Sequence, residues 1–336
     1  MKRVWRRYRG WGRVLLAPRV RLLPALGARL GSHPRLAIGV LVSLRALPGG
    51  HVRSFAYRHV SAPLCERLGE AVEVPVVGRR RMIVDTSEPI GRTLAASGIW
   101  EPGVTALFHR LLVPGDVCVD VGANVGYFTL LASGLVGPAG HVYALEPAPV
   151  PYKGLLANLA LNRVANVTAL PVAAGAAEGD AELHTGPRGK AGESSIRQPT
   201  EGWSTVHVMV RPLPALLETA EVERLRLIKL DVEGFEVEVL RGLAPIFEQG
   251  FRPALIAEVH PLLDPEALAY VADLARRHDL VVHRLLDDPG SHRDVPVRAP
   301  LPFIRVTAND LVSLSDSHPS LLLTSRDPAR GRSAPF

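Results

Sequence analysis

The chain has 336 residues, 47% of them apolar and 21% charged; at roughly 150 residues per domain this suggests about two domains, and it excludes global disorder. Two cysteines, Cys65 and Cys118, exclude a disulfide framework and a four-cysteine zinc site. The net charge of +6 hides an asymmetry: residues 1–60 carry twelve Arg, one Lys and no acid, or +13, while the remaining 26 basic and 33 acidic residues sum to −7. Arg outnumbers Lys 35 to 4, alongside abundant Ala, Gly and Pro, which reads as genomic composition rather than phosphate recognition.

Taken in chain order, residues 1–60 offer short apolar pieces between arginines, and Pro18, Pro24, Pro34 and Pro48 limit them to short helices. The best apolar run, residues 36–44, spans nine residues, against about 20 for a bilayer crossing. Arg13, Arg19, Arg21 and Arg29 interrupt the continuous stretch that a secretory signal needs. The stretch reads either as a loosely packed helical extension or as a peripheral contact with anionic membrane or a polyanionic carrier. The expected location is cytoplasmic, with that peripheral contact as the variant.

From residue 71 to 85 the pattern becomes a β-hairpin: Val72, Val74 and Val76 alternate, Gly78 and Arg79 turn the chain, and Met82, Ile83 and Val84 return. Helices are predicted over 90–96 and 102–112. Strands follow over 117–121, 141–145, 167–172, 225–230, 254–259, 280–285 and 302–314, with helices over 127–135, 150–161, 237–243 and 265–278. Continuous apolar strands separated by helical patterns predict an α/β fold, with a mostly parallel seven-stranded sheet covered by helices on both faces. Residues 175–205, rich in Gly, Ser and charge, break the rhythm as an insertion or long loop.

The sharpest motif joins the first sheet strand to its helix: Asp120-Val121-Gly122-Ala123-Asn124-Val125-Gly126-Tyr127-Phe128-Thr129. Gly122 and Gly126 let the backbone approach a ligand closely, and the helix start offers N–H groups. Asn124 replaces the second glycine of the dinucleotide fingerprint G-x-G-x-x-G, so the close approach that a pyrophosphate needs is missing. Glu146 ends the next strand, 24 residues beyond Gly122, where an acid accepts hydrogen bonds from ribose hydroxyls. The pair predicts a nucleoside-bearing cofactor without a pyrophosphate.

These residues resemble the first motif of the FkbM-type S-adenosylmethionine-dependent methyltransferases. Ile228-Lys229-Leu230-Asp231-Val232-Glu233-Gly234-Phe235-Glu236 is similar to that family's second signature, K-x-D-x-E-G-x-E, about 110 residues further on. Asn158 with Asn162, and residues 256–260, are softer matches. The resemblance covers about residues 71–313. It implies a Rossmann-like class I methyltransferase fold, S-adenosyl-L-methionine as cofactor, and O-methylation of a hydroxyl on a sugar, polyketide or related small molecule or glycan, with no nucleic acid. It carries Asp120, Gly122, Asn124, Gly126, Glu146, Ala173 and Ala174 over as cofactor-binding positions. In Arg211-Pro212-Leu213-Pro214 a proline stands where the family commonly has the Asp of a Leu-Asp pair. The implied organisation is a basic extension (1–60), a hairpin with helices leading into the core (61–115), the methyltransferase domain (116–315) and a flexible tail (316–336).

Methyl transfer to a hydroxyl needs alignment and a base. Lys229, Asp231, Glu233 and Glu236 cluster at a strand's carboxyl end, the active-site rim of a parallel sheet. Asp231 and Glu233 suit binding a hydroxyl, accepting its proton, or holding a divalent metal with Glu258; no dedicated metal site is assigned. Lys229 pairs with one of them, and Glu236 also reads as a first-turn helix acid. His260, after the fifth strand, is a second candidate base, whereas His283 reads as core. The alternatives are an NAD-dependent oxidoreductase, disfavoured by the broken fingerprint, and a non-catalytic binding module, disfavoured by the intact Glu146, Asp231 and Glu233.

Overall fold

The computed structural model describes residues 33–46, 56, 60–69, 71–187, 194–196, 201–285, 303–307, 310–311 and 319–325. The first layer comprises α1 (Pro34–Leu44), α2 (Ala62–Leu68), the hairpin β1 (Val72–Val76) with β2 (Arg80–Val84), α3 (Pro89–Ser97) and α4 (Pro102–Leu111). Gly78 and Arg79 take φ of +75° and +59°, the left-handed pair that reverses the hairpin. Val72, Val74, Val76, Met82 and Val84 are buried beneath it.

The helix α1 is not a loose appendage. Ala37 and Leu41 are fully buried in the same apolar cluster as Val74, Leu94 and Ala95. The Arg45 guanidinium donates to the carbonyls of Pro75, Leu94 and Ala95 at 2.7–2.8 Å, so it satisfies the carbonyl end of α3. Burial lowers its pKa to about 10. Leu41→Ala should therefore destabilise the chain by about 2–5 kcal/mol, read from the denaturant midpoint; a change within about 0.5 kcal/mol would return α1 to the loose extension expected from sequence. The membrane contact expected of residues 1–60 falls largely outside the described residues. No helix among the described residues is long and apolar enough to cross a membrane.

The core alternates strand and helix through β3 (Val117–Val121), α5 (Tyr127–Val136), β4 (His141–Leu145), α6 (Pro149–Leu161), β5 (Val167–Leu170), β6 (Val172–Ala174), β7 (Gly179–Thr185), β8 (Ser204–Arg211), α7 (Thr219–Val222), β9 (Leu225–Leu230), α8 (Glu236–Glu248), β10 (Ala254–Glu258), α9 (Ala267–Arg277), β11 (Leu280–Leu285), β12 (Phe303–Val306) and β13 (Ser320–Ser325). The main sheet has eight strands in the order β12-β11-β13-β10-β9-β3-β4-β5. Its five strands from β10 to β5 run parallel, and β13 enters antiparallel between β10 and β11. One apolar cluster packs the α5 face with the N-terminal layer, and the other packs the α8 and α9 face. The chain leaves β3 toward β4 and β5, then returns to β9 on the other side of β3. The crevice above the carboxyl ends of β3, β4 and β9 is thus the switch point where open α/β sheets bind ligands.

Several expectations are corrected. The sheet has eight strands, not seven. The strand expected over 167–172 divides at Pro171, which has no N–H to give a ladder, and β6 joins a separate three-stranded sheet, β6-β8-β7. Of the stretch expected to be an insertion or long loop over 175–205, Gly179–Thr185 and the first two residues of β8 belong to that small sheet. Finally, the expected tail from 316 supplies β13, whose Leu321, Leu322 and Leu323 are fully buried; this run covers both faces of the sheet, which outweighs its position near the end of the chain. Of the strand expected over 302–314, the described residues form β12 at Phe303–Val306, and residues 310–311 are helical. His283, expected in the core, is half-buried with its ring 5.9 Å from that of Phe303.

Asn158 of α6 and Asn162 just after its end act as an extra strand edge for the hairpin. Asn158 Oδ1 accepts from Ile83 N at 2.7 Å and its Nδ2 donates to Ile83 O and Val125 O. Asn162 repeats the exchange with Arg81, at 3.1 and 2.7 Å. The N-terminal hairpin is thereby tied to the helix behind the glycine turn.

Candidate active site

The turn after β3 is shaped by backbone conformations that few residues adopt. Gly122, Asn124 and Gly126 have φ of +79°, +51° and +90°. A Cβ on Gly122 would fall inside van der Waals contact of the Asp231 carbonyl oxygen, so the β3 and β9 ends meet with no room for a side chain. Asn124 is a residue type that tolerates this region; its N–H donates to Glu146 Oε2 at 2.8 Å, and its Oδ1 accepts from Val125 N at 2.8 Å. Gly122 N and Ala123 N both donate to Leu145 O at 3.0 Å.

Glu146 is held from both sides. Its Oε2 accepts from Asn124 and its Oε1 from Ala148 N at 2.8 Å. Each oxygen keeps a second lone pair for a further donor. Burial raises its pKa to about 7, against the two N–H groups that favour the anion. Asp120, 1% exposed, accepts from Thr129 Oγ1 at 2.6 Å through Oδ2, while its Oδ1 is buried with no hydrogen-bond partner. Burial raises the Asp120 pKa, opposed by Lys229 and Thr129.

These elements open onto a cavity at the carboxyl ends of the strands, where open α/β sheets bind ligands. Gly122, Asn124, Glu146, Ala173, Ala174, Asp231 and Glu233 line it, whereas Asp120, Gly126, Lys229 and His260 are not among its lining residues. Sequence reasoning did not single out Pro147, Pro151, Leu183, Ser194, Ile196 and Phe235, which also line it. Leu183, Ser194 and Ile196 come from the small sheet and its bridge, His184 with Ser195, where only the length of the interrupted rhythm hinted at a role.

Below the cavity, β9 delivers the charged pair. Lys229 Nζ donates to Asp231 Oδ2 at 3.0 Å and lies 5.0 Å from the Phe128 ring centroid. Burial opposes the ammonium, but Asp231, Glu101 and Asp120 together hold its pKa above the ordinary value. Glu233 follows in a left-handed conformation, φ +51°, with its carbonyl accepting Ser195 Oγ at 2.7 Å. His260 is buried with Nδ1 3.5 Å from Glu233 Oε2. Glu258, at the end of β10, is half-buried and its pKa is raised, first by burial and then by Asp231 and Glu101. Glu101 went unnoticed in the sequence because α4 begins one residue later and nothing local ties it to β9. In the segment Arg211-Pro212-Leu213-Pro214, a single 3₁₀ turn over Leu213–Ala215 buries Leu213.

The cavity fits a nucleoside-bearing sulfonium. A carboxylate with two preset lone pairs stands beside a glycine turn without the pyrophosphate fingerprint, and the Asp120 oxygen behind that turn has no donor of its own. With the switch-point sheet, this defines an S-adenosylmethionine-dependent methyltransferase of the class I fold. Comparison with known proteins narrows it. The model of the methyltransferase FkbM domain matches residues 120–280. The 31-O-demethyl-FK506 methyltransferase FkbM of Streptomyces tacrolimicus is 35% identical over 198 residues, 51% of this chain and 75% of that protein. The hexuronic acid methyltransferase AglP of Haloferax volcanii is 27% identical over 219 residues, 62% of this chain and 86% of that protein. Methyltransferase sdnD of Sordaria araneosa is 32% identical over 154 residues, 37% of this chain and 59% of that protein. The chain belongs to the FkbM methyltransferase family.

Proposed function

We propose that the chain methylates a hydroxyl oxygen of a small molecule or glycan, with Asp231 as the residue that accepts the hydroxyl proton. The observation that supports it best is the Lys229–Asp231 pair at the end of β9, directly across the Gly122 contact from the cofactor turn. The cofactor, when bound, supplies a sulfonium methyl group, so that a C–O bond forms as a C–S bond breaks. Glu146 accepts the ribose hydroxyls, and Gly122, Asn124, Gly126 and Asp120 shape the wall beside its amino-acid end. Ala173 and Ala174 leave space for a flat base. Lys229 orients Asp231, and Glu233 with His260 closes the rim. The names of two relatives, a hexuronic acid methyltransferase and a 31-O-demethyl-FK506 methyltransferase, support a hydroxylated acceptor of the sugar or polyketide type. The test is release of S-adenosylhomocysteine with hydroxylated acceptors and localisation of the new methyl on oxygen. Calorimetric binding of NAD in place of S-adenosylmethionine would reverse the reading.

Glu146 gives this reading a pH signature. Ribose hydroxyls donate to the ionised carboxylate, so binding favours the anion and lowers its pKa below the free value of about 7. By linkage, cofactor affinity rises with pH through about 7 and weakens below it. Glu146→Ala should weaken binding by about 1.5–3 kcal/mol and flatten the pH dependence, both read by calorimetry between about pH 6 and about pH 8. Unchanged affinity in the variant would remove Glu146 from the ribose role.

A further inference from the structure

We infer that Asp231, Glu233 and His260 form a divalent-cation site in the wall of the cofactor cavity. The inference rests on the methyl-transfer reading for what the ion would do, and on the residues alone for where it binds. One carboxylate oxygen each from Asp231 and Glu233 and one imidazole nitrogen of His260 lie within 4.8 Å of one another, and Glu233 Oε2 is 3.5 Å from His260 Nδ1. Donors about 2.0–2.6 Å from a shared ion stand roughly 3–4 Å apart. The three come from separate points of a rigid frame: the end of β9, the Glu233 turn, and the residues after β10. Asp231 and Glu233 also line the cavity, so an ion bound there would keep coordination positions facing the ligand.

A second trio, Glu101, Asp231 and Glu258, shares Asp231 and is equally compact, but all three of its members are carboxylates that interact with the Lys229 ammonium. Lys229 Nζ sits 3.0 Å from Asp231 Oδ2, with Glu101 among the charges that stabilise the ammonium. The first trio has an imidazole instead of a third carboxylate, a nitrogen donor when neutral. An independent sign points to missing positive charge. Glu236 is completely buried, gives Oε1 to the Gly234 N–H at 2.9 Å, and leaves Oε2 with no hydrogen-bond partner. Asp231 is one of the two carboxylates acting on it, with Asp264. A carboxylate buried in this way is unfavourable as the anion unless it is protonated or a cation offsets its charge: burial, and then the Asp231 charge, raise the Glu236 pKa, and an ion on Asp231 would relieve the second of these. Two hard oxygens and one imidazole suit Mn²⁺, rather than the all-oxygen cage of Ca²⁺ or a thiolate site. Bound there, the ion would hold an acceptor oxygen and lower the pKa of its hydroxyl.

The test uses the full chain, treated with EDTA and desalted, then titrated with Mn²⁺ while the electron paramagnetic resonance of the free aquo ion is followed. One ion per chain is expected, with affinity reduced about ten-fold or more by His260→Ala and by Glu233→Gln, and retained in Glu101→Gln. Absence of uptake by the wild-type chain overturns the proposal, as does uptake insensitive to both His260→Ala and Glu233→Gln or lost in Glu101→Gln. Far-ultraviolet circular dichroism and denaturant midpoints on the same samples show that each variant is folded, and S-adenosylmethionine calorimetry is run on the wild-type chain. The calorimetry separates the two claims: Mn²⁺ uptake without cofactor binding would sink the methyltransferase reading and leave the metal site standing.

Discussion

Gly122→Ala should destabilise the chain by about 3 kcal/mol or more and abolish cofactor binding, a far larger effect than the same substitution at Gly115. Both glycines have positive φ, +79° and +91°. A Cβ at Gly115 meets nothing within 4 Å, so Gly115→Ala pays only the left-handed backbone cost of about 1–2 kcal/mol. At Gly122 the added carbon collides with the backbone carbonyl of Asp231, which cannot rotate away as a side chain does. The carbonyl belongs to the residue whose N–H bonds Val121 O at 3.1 Å, so relief requires parting β3 from β9 at the site itself. Gly126 makes the contrast sharper, because its Cβ would meet Leu155 Cδ1 at 2.6 Å, the far end of a flexible side chain. Denaturant midpoints of the three variants measure the difference, and equal losses at Gly115 and Gly122 would show that conformation alone requires glycine at the turn.

Where sequence signals were local they carried through to the fold. Strands 117–121, 141–145, 225–230 and 280–285 coincide with β3, β4, β9 and β11, because each is a continuous apolar run bounded by turn residues. The glycine turn and Glu146 were legible for the same reason: their chemistry lies in backbone conformation and in position at a strand end. What escaped the sequence depends on partners far along the chain. Residues 320–325 look like the remnant of a tail until β10 and β11 leave a gap that an antiparallel strand fills. Pro171 looks like one irregular residue in a strand, yet it sends the two halves to different sheets. Glu101 joins Lys229 and Glu258 only after α4 has folded over the sheet, and no spacing rule connects a residue before β3 with one at the end of β10. The cavity itself mixes both kinds: its floor is motif, and its Leu183, Ser194 and Ile196 side is tertiary.

Asp231→Asn should lower the single-turnover rate by about 10²–10⁴, the usual cost of removing a general base, while cofactor affinity changes little. The amide keeps the size of the side chain and can still accept from Lys229 Nζ, now 3.0 Å from Oδ2, but it cannot take a proton. Lys229 retains Glu101 and Asp120 as compensating charges, so the wall of the cofactor cavity stays in place. His260 lies 3.5 Å from Glu233, and His260→Ala should cost less at saturating Mn²⁺, where weakened coordination is overcome by mass action. The measurement is single-turnover methylation with calorimetry on the same preparations. A nearly inactive His260→Ala beside an active Asp231→Asn would move the base to the end of β10. Loss of S-adenosylmethionine binding in Asp231→Asn, with Mn²⁺ saturating, would make the carboxylate a cofactor ligand, because the isosteric amide still satisfies Lys229.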